Sequence, residues 1–443
     1  MTVVLPQPTL SRYAHVVRSG PKAVGFNSLT LEAFDLAPTD VSLLESVGRG
    51  EIVSPELLEP LIETGFLRDD VEADFQAIQR IADSRRERVK TRAGHFGTLR
   101  LSITEKCNMS CTYCFQQKMY PEDEQPVLSR EQLTETLNWF IEQGRGYPLS
   151  IQYFGGEPLL EWDNIVYAHE MLSLAVEAGT IPSFRETVTT NGTLLSGQRA
   201  RWLVDSGFDL TFSFDGPPEV NDINRLMKSG RGSFGRAMRG LRSWVEEGGR
   251  PSILMTATAG NVKDLPEYVR WFVEEAEVHP KDVGVNSPQP TSEGWETGGT
   301  ELADAIWAVW KYCRSKGIFF HGPGTYIPTH LQTLIPQTDG CVDTGASGAE
   351  PSWPVYVSAE GKKSLCVVYH RDERVMADPQ RSALEEGSKW HYAAEPLKEC
   401  DSCIASQICG GPCALEKILW QGRLNSDRCD FMRQMTKLVL LDE

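Results

Sequence analysis

Three cysteines crowd one short stretch, Ile103-Thr104-Glu105-Lys106-Cys107-Asn108-Met109-Ser110-Cys111-Thr112-Tyr113-Cys114-Phe115. Three thiolates on one tight loop can hold three irons of a [4Fe–4S] cube and leave the fourth iron open to a ligand. Tyr113, the aromatic before the last cysteine, would help to shield such a cluster, since burial and hydrogen bonding tune its potential. Zinc is the weaker reading, because a structural zinc takes four ligands and no fourth partner stands nearby. Buried cysteines without any ligand are the remaining alternative. Seven further cysteines follow Pro336, namely Cys341, Cys366, Cys400, Cys403, Cys409, Cys413 and Cys429. Cys313 stands apart, in an amphipathic stretch where a buried thiol is the favoured reading.

These side chains need a scaffold, and the alternation around them supplies one. Thr98-Leu99-Arg100-Leu101-Ser102-Ile103 alternates apolar and polar residues and reads as a strand running into the cysteine loop. Candidate strands follow at 150–154, 186–190, 209–214, 252–258 and 282–286. Helical segments lie between them at 130–143, 162–177, 197–206, 233–247 and 265–275. Regular βα alternation predicts parallel units, and six fit a partial (β/α)6 barrel of the TIM type, whose functional residues gather at the C-terminal strand ends. Polar motifs fall at those ends: Tyr153-Phe154-Gly155-Gly156-Glu157-Pro158, Thr189-Thr190-Asn191-Gly192-Thr193, and Ser213-Phe214-Asp215-Gly216, with Arg225 shortly after. Two glycines let a backbone approach closely, Glu157 offers an acceptor for an ammonium group, and a guanidinium matches a carboxylate.

The C-x3-C-x2-C loop with an aromatic before its last cysteine resembles the signature of the radical S-adenosylmethionine (SAM) superfamily. The resemblance implies that Cys107, Cys111 and Cys114 hold a [4Fe–4S] cluster that binds SAM. It implies that Gly155, Gly156 and Glu157 bind the SAM amino group. Thr190, Asn191, Ser213 and Asp215 would contact SAM or its ribose, and Arg225 would clamp the methionyl carboxylate. In such enzymes, reductive cleavage of SAM gives a 5′-deoxyadenosyl radical that abstracts hydrogen from an unactivated carbon, while the protein orients the cofactor and excludes solvent.

The run Cys400-x2-Cys403-x5-Cys409-x3-Cys413-x15-Cys429, preceded by Gly361-x4-Cys366, resembles the SPASM domain of radical SAM peptide and protein modifiers. That resemblance implies two auxiliary [4Fe–4S] clusters. Cys400, Cys403, Cys409 and Cys429 would complete one, and Cys341, Cys366 and Cys413 would supply three ligands to the other, leaving an open iron or a fourth ligand such as Cys313. Anaerobic sulfatase maturases share this architecture but carry an acid after the Cys366 equivalent, where this chain has Val367.

Residues 1–95 read as a hairpin followed by helices, including a highly charged helix over 70–92. This order resembles a winged-helix-like domain that captures a leader peptide by adding it as a strand to a sheet edge. A structural cap is the alternative. The expected organisation is therefore 1–95 for peptide recognition, 96–300 for the barrel, 301–340 as a bridge and 341–443 as the SPASM domain. The net charge of −17 argues against a nucleic-acid partner. No apolar run approaches the length of a membrane span, and without an evident export signal the cytoplasm is the default. The expected activity is an oxidative crosslink in a ribosomally made precursor peptide, with a flavodoxin or ferredoxin supplying electrons. Sulfatase-type maturation, peptide epimerisation and a non-catalytic iron–sulfur sensor are the alternatives. No catalytic base is assignable; Tyr326, Asp339, Asp343 and Tyr356 are candidates.

Overall fold

A computed structural model describes residues 8–68, 72–91, 94–121, 124–286, 297–334, 352–368, 370–371, 378, 381, 385, 400, 402–409 and 426–442. Cys341, Cys413, Asp339 and Asp343 lie outside the described residues. The chain divides into two units: residues 93–323 with 343–387, and residues 1–92 with 324–342 and 388–443.

The second of these begins with β1 (Thr9–Leu10), β2 (Ala14–Ser19), β3 (Lys22–Asn27) and β4 (Ala33–Asp35). Helices α1 (Pro38–Gly48) and α2 (Pro55–Glu63), strand β5 (Leu67–Arg68) and helix α3 (Glu72–Thr91) follow. β2, β3 and β4 form an antiparallel sheet in that order, with β2 at one edge, while β1 pairs with β5. The hairpin β2–β3 and the charged helix, here α3, fall where the sequence predicts them. Leu36, Leu44, Leu58, Leu61, Phe66 and Leu67 close a small core.

The larger unit is built on six parallel strands that neighbour one another in chain order. They are β6 (Phe96–Thr104), β7 (Leu149–Gly155), β8 (Phe184–Thr190), β9 (Asp209–Ser213), β10 (Ser252–Thr256) and β11 (Asp282–Asn286). Sequential parallel order is the arrangement of a TIM-like partial barrel. Helices α4 (Phe115–Met119), α5 (Arg130–Gln143), α6 (Trp162–Glu177), α7 (Gly197–Asp205), α8 (Pro218–Asn224), α9 (Phe234–Glu246) and α10 (Leu265–Glu274) connect them. Each long helix buries one stripe at helical spacing: Leu133, Leu137 and Phe140 on α5, and Leu265, Val269 and Phe272 on α10. Helix α5 starts at a capping box in which Ser129 Oγ accepts from Gln132 N–H at 3.1 Å and Gln132 Oε1 accepts from Ser129 N–H at 3.0 Å.

The sheet extends beyond the six expected strands. After α11 (Gly299–Ser315), β12 (Phe319–His321) pairs parallel with β11. On the other side β13 (Trp353–Val357) pairs parallel with β6, and β14 (Lys363–Ser364) turns back on β13. Pro354 argues against a strand in sequence; here it sits at a register irregularity, where the lost donor is tolerated.

The remaining segments join the second unit as α12 (Ile327–Thr333), α13 (Ser406–Cys409) and α14 (Ser426–Leu440). Ser406 Oγ donates to Ser28 O at 3.4 Å, and Lys22 Nζ donates to Leu441 O and Asp442 O at the C-terminal end of α14. A cation there meets the negative end of the helix dipole. No helix among the described residues is long and apolar enough to cross a membrane.

Candidate active site

Because β6 to β9 are parallel and adjacent, Thr104, Gly155, Thr190 and Ser213 all end on the same edge of the sheet. The cysteine loop leaves β6 there. Its start is locked against the end of β7: Gly156 N–H donates to Thr104 O at 2.8 Å and Glu157 N–H donates to Lys106 O at 2.9 Å. A Cβ on Gly156 would stand 2.1 Å from the Lys106 carbonyl oxygen, and one on Gly155 would stand 2.2 Å from Ser102 Oγ. Gly155 also has φ +122°. The close approach that these glycines permit is therefore to the backbone of the cysteine loop itself.

Further along, a strap around residues 224–228 holds the loop. Ser110 N–H donates to Leu226 O (2.8 Å), Thr112 N–H to Asn224 O (3.1 Å), and Lys228 N–H to Asn108 O (3.2 Å). Asn108 bonds both Thr193 and Asn191, at 2.8 and 2.9 Å. Cys107, Cys111 and Cys114 are half-buried. Burial, with the Glu157 charge adding, pushes the Cys107 thiol up to about 12. Burial pushes Cys111 up to about 11 against the opposing Arg225 charge, and it raises Cys114 as well. Such thiols ionise when a cation takes the proton's place.

Glu157 is turned inward, 1% exposed. Its carboxylate accepts from Thr190 Oγ1 (2.7 Å), Asn191 N–H (2.8 Å) and Leu159 N–H (3.1 Å). Burial outweighs these bonds and pushes its pKa up to about 7. The side chain expected to receive an ammonium group thus ties the end of β8 to the turn after β7.

Asp215 is fully buried. It receives Tyr113 OH at 2.6 Å, Thr256 N–H at 3.2 Å, and the Arg225 guanidinium as an ion pair at 3.0 Å. Burial alone would lower the Arg225 pKa, but the Asp215 charge outweighs it and holds the group ionised. Arg225 also lies over the Tyr113 ring, 5.5 Å from its centroid. The expected ribose and carboxylate contacts are in this way paired with each other beside Cys111. Ser213 is half-exposed and Asn191 Nδ2 lies 4.0 Å from Cys107 Sγ. Every expected residue of the loop, Gly155–Glu157, Thr190, Asn191, Ser213, Asp215 and Arg225 is brought to this one strand edge.

Sequence reading missed Glu105. It is 2% exposed, accepts from Ser102 Oγ at 2.6 Å and Tyr356 OH at 3.4 Å, and is pushed by burial up to about 7. Tyr356 packs on His370, ring centroids 4.7 Å apart, and His370 Nε2 accepts from Tyr120 OH at 2.7 Å. His370 Nδ1 in turn reaches Val367 O beside the buried Cys366. Asn108, Thr193 and Asn221, whose Oδ1 accepts from Asp215 N–H at 3.3 Å, were also missed; their only signal is proximity in sequence to the motifs.

In the smaller unit, Cys400, Cys403, Cys409 and Cys429 are half-buried. Burial pushes Cys429 up to about 11, with the charges of Cys409 and Cys400 adding. Arg433 bonds Cys403 and faces Cys429. Cys313, by contrast, is enclosed in the packed face of α11, and burial pushes its thiol up to about 12. Among the described residues, no three His, Cys, Asp or Glu side chains converge on a single metal ion. Thiolates around a cube each hold their own iron and need not converge so tightly. The donor set of the β6–α4 loop fits that group: three half-buried thiols, a backbone fixed at both ends, and a neighbouring cation.

Residues 101–272 match the model of the radical SAM superfamily, and this stretch of the chain is a radical SAM domain. Among curated proteins, the chain is 33% identical over 177 residues to the Fe-coproporphyrin III synthase of Methanosarcina barkeri, covering 39% of this chain and 40% of that one. It is 31% identical over 177 residues to the GTP 3′,8-cyclase of Rhizobium meliloti, covering 39% and 47%. The chain thus spans less than half the length of either. The sulfatase maturase anSMEcpe with bound AdoMet has a solved structure with TM-score 0.62 at 16% identity, covering 77% of this chain and 95% of that one. Streptococcus suis SuiB bound to precursor peptide SuiA gives 0.54 at 16%, covering 93% and 97%. These likenesses establish the partial-barrel fold.

Proposed function

We propose that this protein is a radical SAM enzyme that closes an oxidative crosslink in a ribosomally made peptide. The observation that carries the reading is the clasped loop of Cys107, Cys111 and Cys114, fixed on one side by the Gly155–Glu157 turn and on the other by the 224–228 strap. A [4Fe–4S] cluster with SAM, held there by Cys107, Cys111 and Cys114, would supply one-electron reductive chemistry able to remove hydrogen from an unactivated carbon. The chain's own residues fix the geometry. Gly156 lets the loop seat, Glu157 and Asn191 brace it, and the Asp215–Arg225 pair places a positive charge beside Cys111, where a guanidinium can also receive the methionyl carboxylate.

Cys400, Cys403, Cys409 and Cys429 are proposed to hold one auxiliary cluster, and Cys366, with Cys341 and Cys413, a second. Clusters held by these residues would supply one-electron acceptors. A flavodoxin- or ferredoxin-type donor is proposed to deliver the reducing electron. A peptide substrate is supported by the likeness, over nearly the whole chain, to SuiB with its bound precursor peptide.

The test is anaerobically reconstituted, reduced protein mixed with SAM and the short peptides encoded beside its gene, followed by mass spectrometry. Loss of two hydrogens from a peptide, in step with 5′-deoxyadenosine, is expected. Unchanged mass with solvent deuterium incorporated would replace crosslinking by epimerisation. Absence of 5′-deoxyadenosine from fully loaded protein would overturn the activity itself.

A further inference from the structure

Between Ile223 and Val245 the chain carries six lysine and arginine residues and no aspartate or glutamate, in a protein with 61 acidic and 44 basic residues. The structure puts this stretch against the cysteine loop. Ser110 N–H donates to Leu226 O, and Leu226 in turn bridges antiparallel to Gly232. The 224–228 strap is thus the middle of three short extended pieces. Two spacings between extended pieces set the main chain at Gly232 roughly 10 Å from that at Ser110. Ser110 and Thr112 on the loop and Ile223 before the strap are exposed.

Helix α9 runs on from the third piece. Ala237, Met238, Leu241 and Trp244 face inward, while Arg236, Arg239 and Arg242 recur every three residues along the exposed side. With Arg231 they make four exposed guanidiniums, none of them in an ion pair among the described residues. The carboxylates around them are engaged elsewhere. Asp222 caps α9 through the Ser233 and Phe234 N–H groups, and Glu219 faces Tyr268 on α10. Glu247, past the far end of α9, pairs with Arg201 at 2.8 Å, and Glu246 is exposed one turn beyond Arg242. The thiolates of the loop bring negative charge of their own, which Arg225 answers from inside at Cys111. A local excess of positive charge on a chain of net −17 selects for an acidic partner.

We propose that the face formed by Arg231, Arg236, Arg239 and Arg242 docks an acidic one-electron carrier protein, so that the reducing electron enters at the cysteine loop directly and not by way of the C-terminal cysteines. The inference rests on the radical SAM reading and names the surface that receives the donor. The step moves one electron and no proton: the carrier is oxidised by one electron, the group held by Cys107, Cys111 and Cys114 is reduced by one, and no bond forms or breaks. Electron-transfer encounters bury little area, so charge selects the partner. A nucleic acid would meet the same arginines, but the net charge of −17 opposes its approach to the rest of the chain.

Full-length, anaerobically reconstituted protein would be titrated into a fluorescently labelled acidic flavodoxin, reading anisotropy. Binding is expected, and it should weaken as salt rises. R231E/R236E/R239E should weaken it by about tenfold or more, while R231K/R236K/R239K keeps it and R18E/K437E, on the smaller unit, leaves it unchanged. If the triple reversal misfolds by circular dichroism, R236E and R239E singly decide, each expected to cost about threefold in affinity. In the reversed variant, 5′-deoxyadenosine formed with flavodoxin should fall about tenfold or more against that formed with dithionite, a small reductant that needs no docking. Flavodoxin that does not bind, or whose affinity is unmoved by the reversals, would overturn the proposal. So would loss of binding on R18E/K437E, or tighter binding of a mixed-sequence DNA duplex. Absence of 5′-deoxyadenosine from the wild-type protein with dithionite would remove the enzyme reading, whereas its presence with flavodoxin affinity unmoved would remove only the docking surface.

Discussion

Gly156 illustrates how a short motif can be read for the right place and the wrong neighbour. Its spacing after the cysteines marks the site, yet what crowds it is the Lys106 carbonyl, fifty residues earlier in the chain. Gly156→Ala should therefore displace the cysteine loop, destabilise the larger unit by about 2 kcal/mol and lower iron retention, read by thermal unfolding and iron analysis of one preparation. Asp215→Asn leaves the Arg225 guanidinium buried without a counter-charge, and a loss of about 3 kcal/mol is expected in the same unfolding experiment. The residue types at this site were legible because cysteine, paired glycines and a terminal Ser-x-Asp-Gly are rare in such order. Their mutual pairing was not, because Tyr113–Asp215 and Thr190–Glu157 are contacts between strand ends that only the sheet brings together.

At the scale of elements, helix α9 starts on an acceptor that is not its own. Asp222 Oδ1 receives the N–H groups of Ser233 and Phe234 at 2.9 and 2.8 Å, closing the same segment that straps the cysteine loop. Asp222→Ala should cost about 1 kcal/mol and loosen that strap, seen as faster amide exchange over residues 224–234. Strand β8 carries a buried carboxylate, Glu186, bonded by Tyr153 OH at 2.5 Å and His169 Nδ1 at 2.6 Å. Burial raises its pKa above the ordinary 4.5, with those two bonds opposing. The folded state then holds a proton that the unfolded chain has released, so this group's contribution to stability falls as pH rises from about 4.5 through the raised value. Glu186→Gln should flatten that fall in unfolding curves taken across the interval. The six barrel strands and the helices between them were legible from the regular alternation of strand-like and helical segments, β6 besides from its two-residue alternation. β12 is too short and β13 too interrupted by Pro354 to announce themselves.

For the whole molecule, the division of the chain is the feature that linear reading could not supply. Composition shifts mark segments along a sequence, but Ser28–Ser406 and Lys22–Leu441 join stretches 378 and 419 residues apart. Deleting residues 1–92 should leave the barrel resistant to limited proteolysis while the segment 400–442, deprived of that packing, becomes readily cleaved. Discontinuity also fixes an order of assembly. During synthesis, the first ninety residues leave the ribosome roughly tens of seconds before the segment that completes their unit, while the barrel between them has all its parallel strands in hand. The barrel can therefore reach its fold while the other unit still waits. A chain cut short before α14 would have a formed barrel and no packing partner for its opening hairpin, so protection of that hairpin from proteolysis would report that the segment 400–442 has been made.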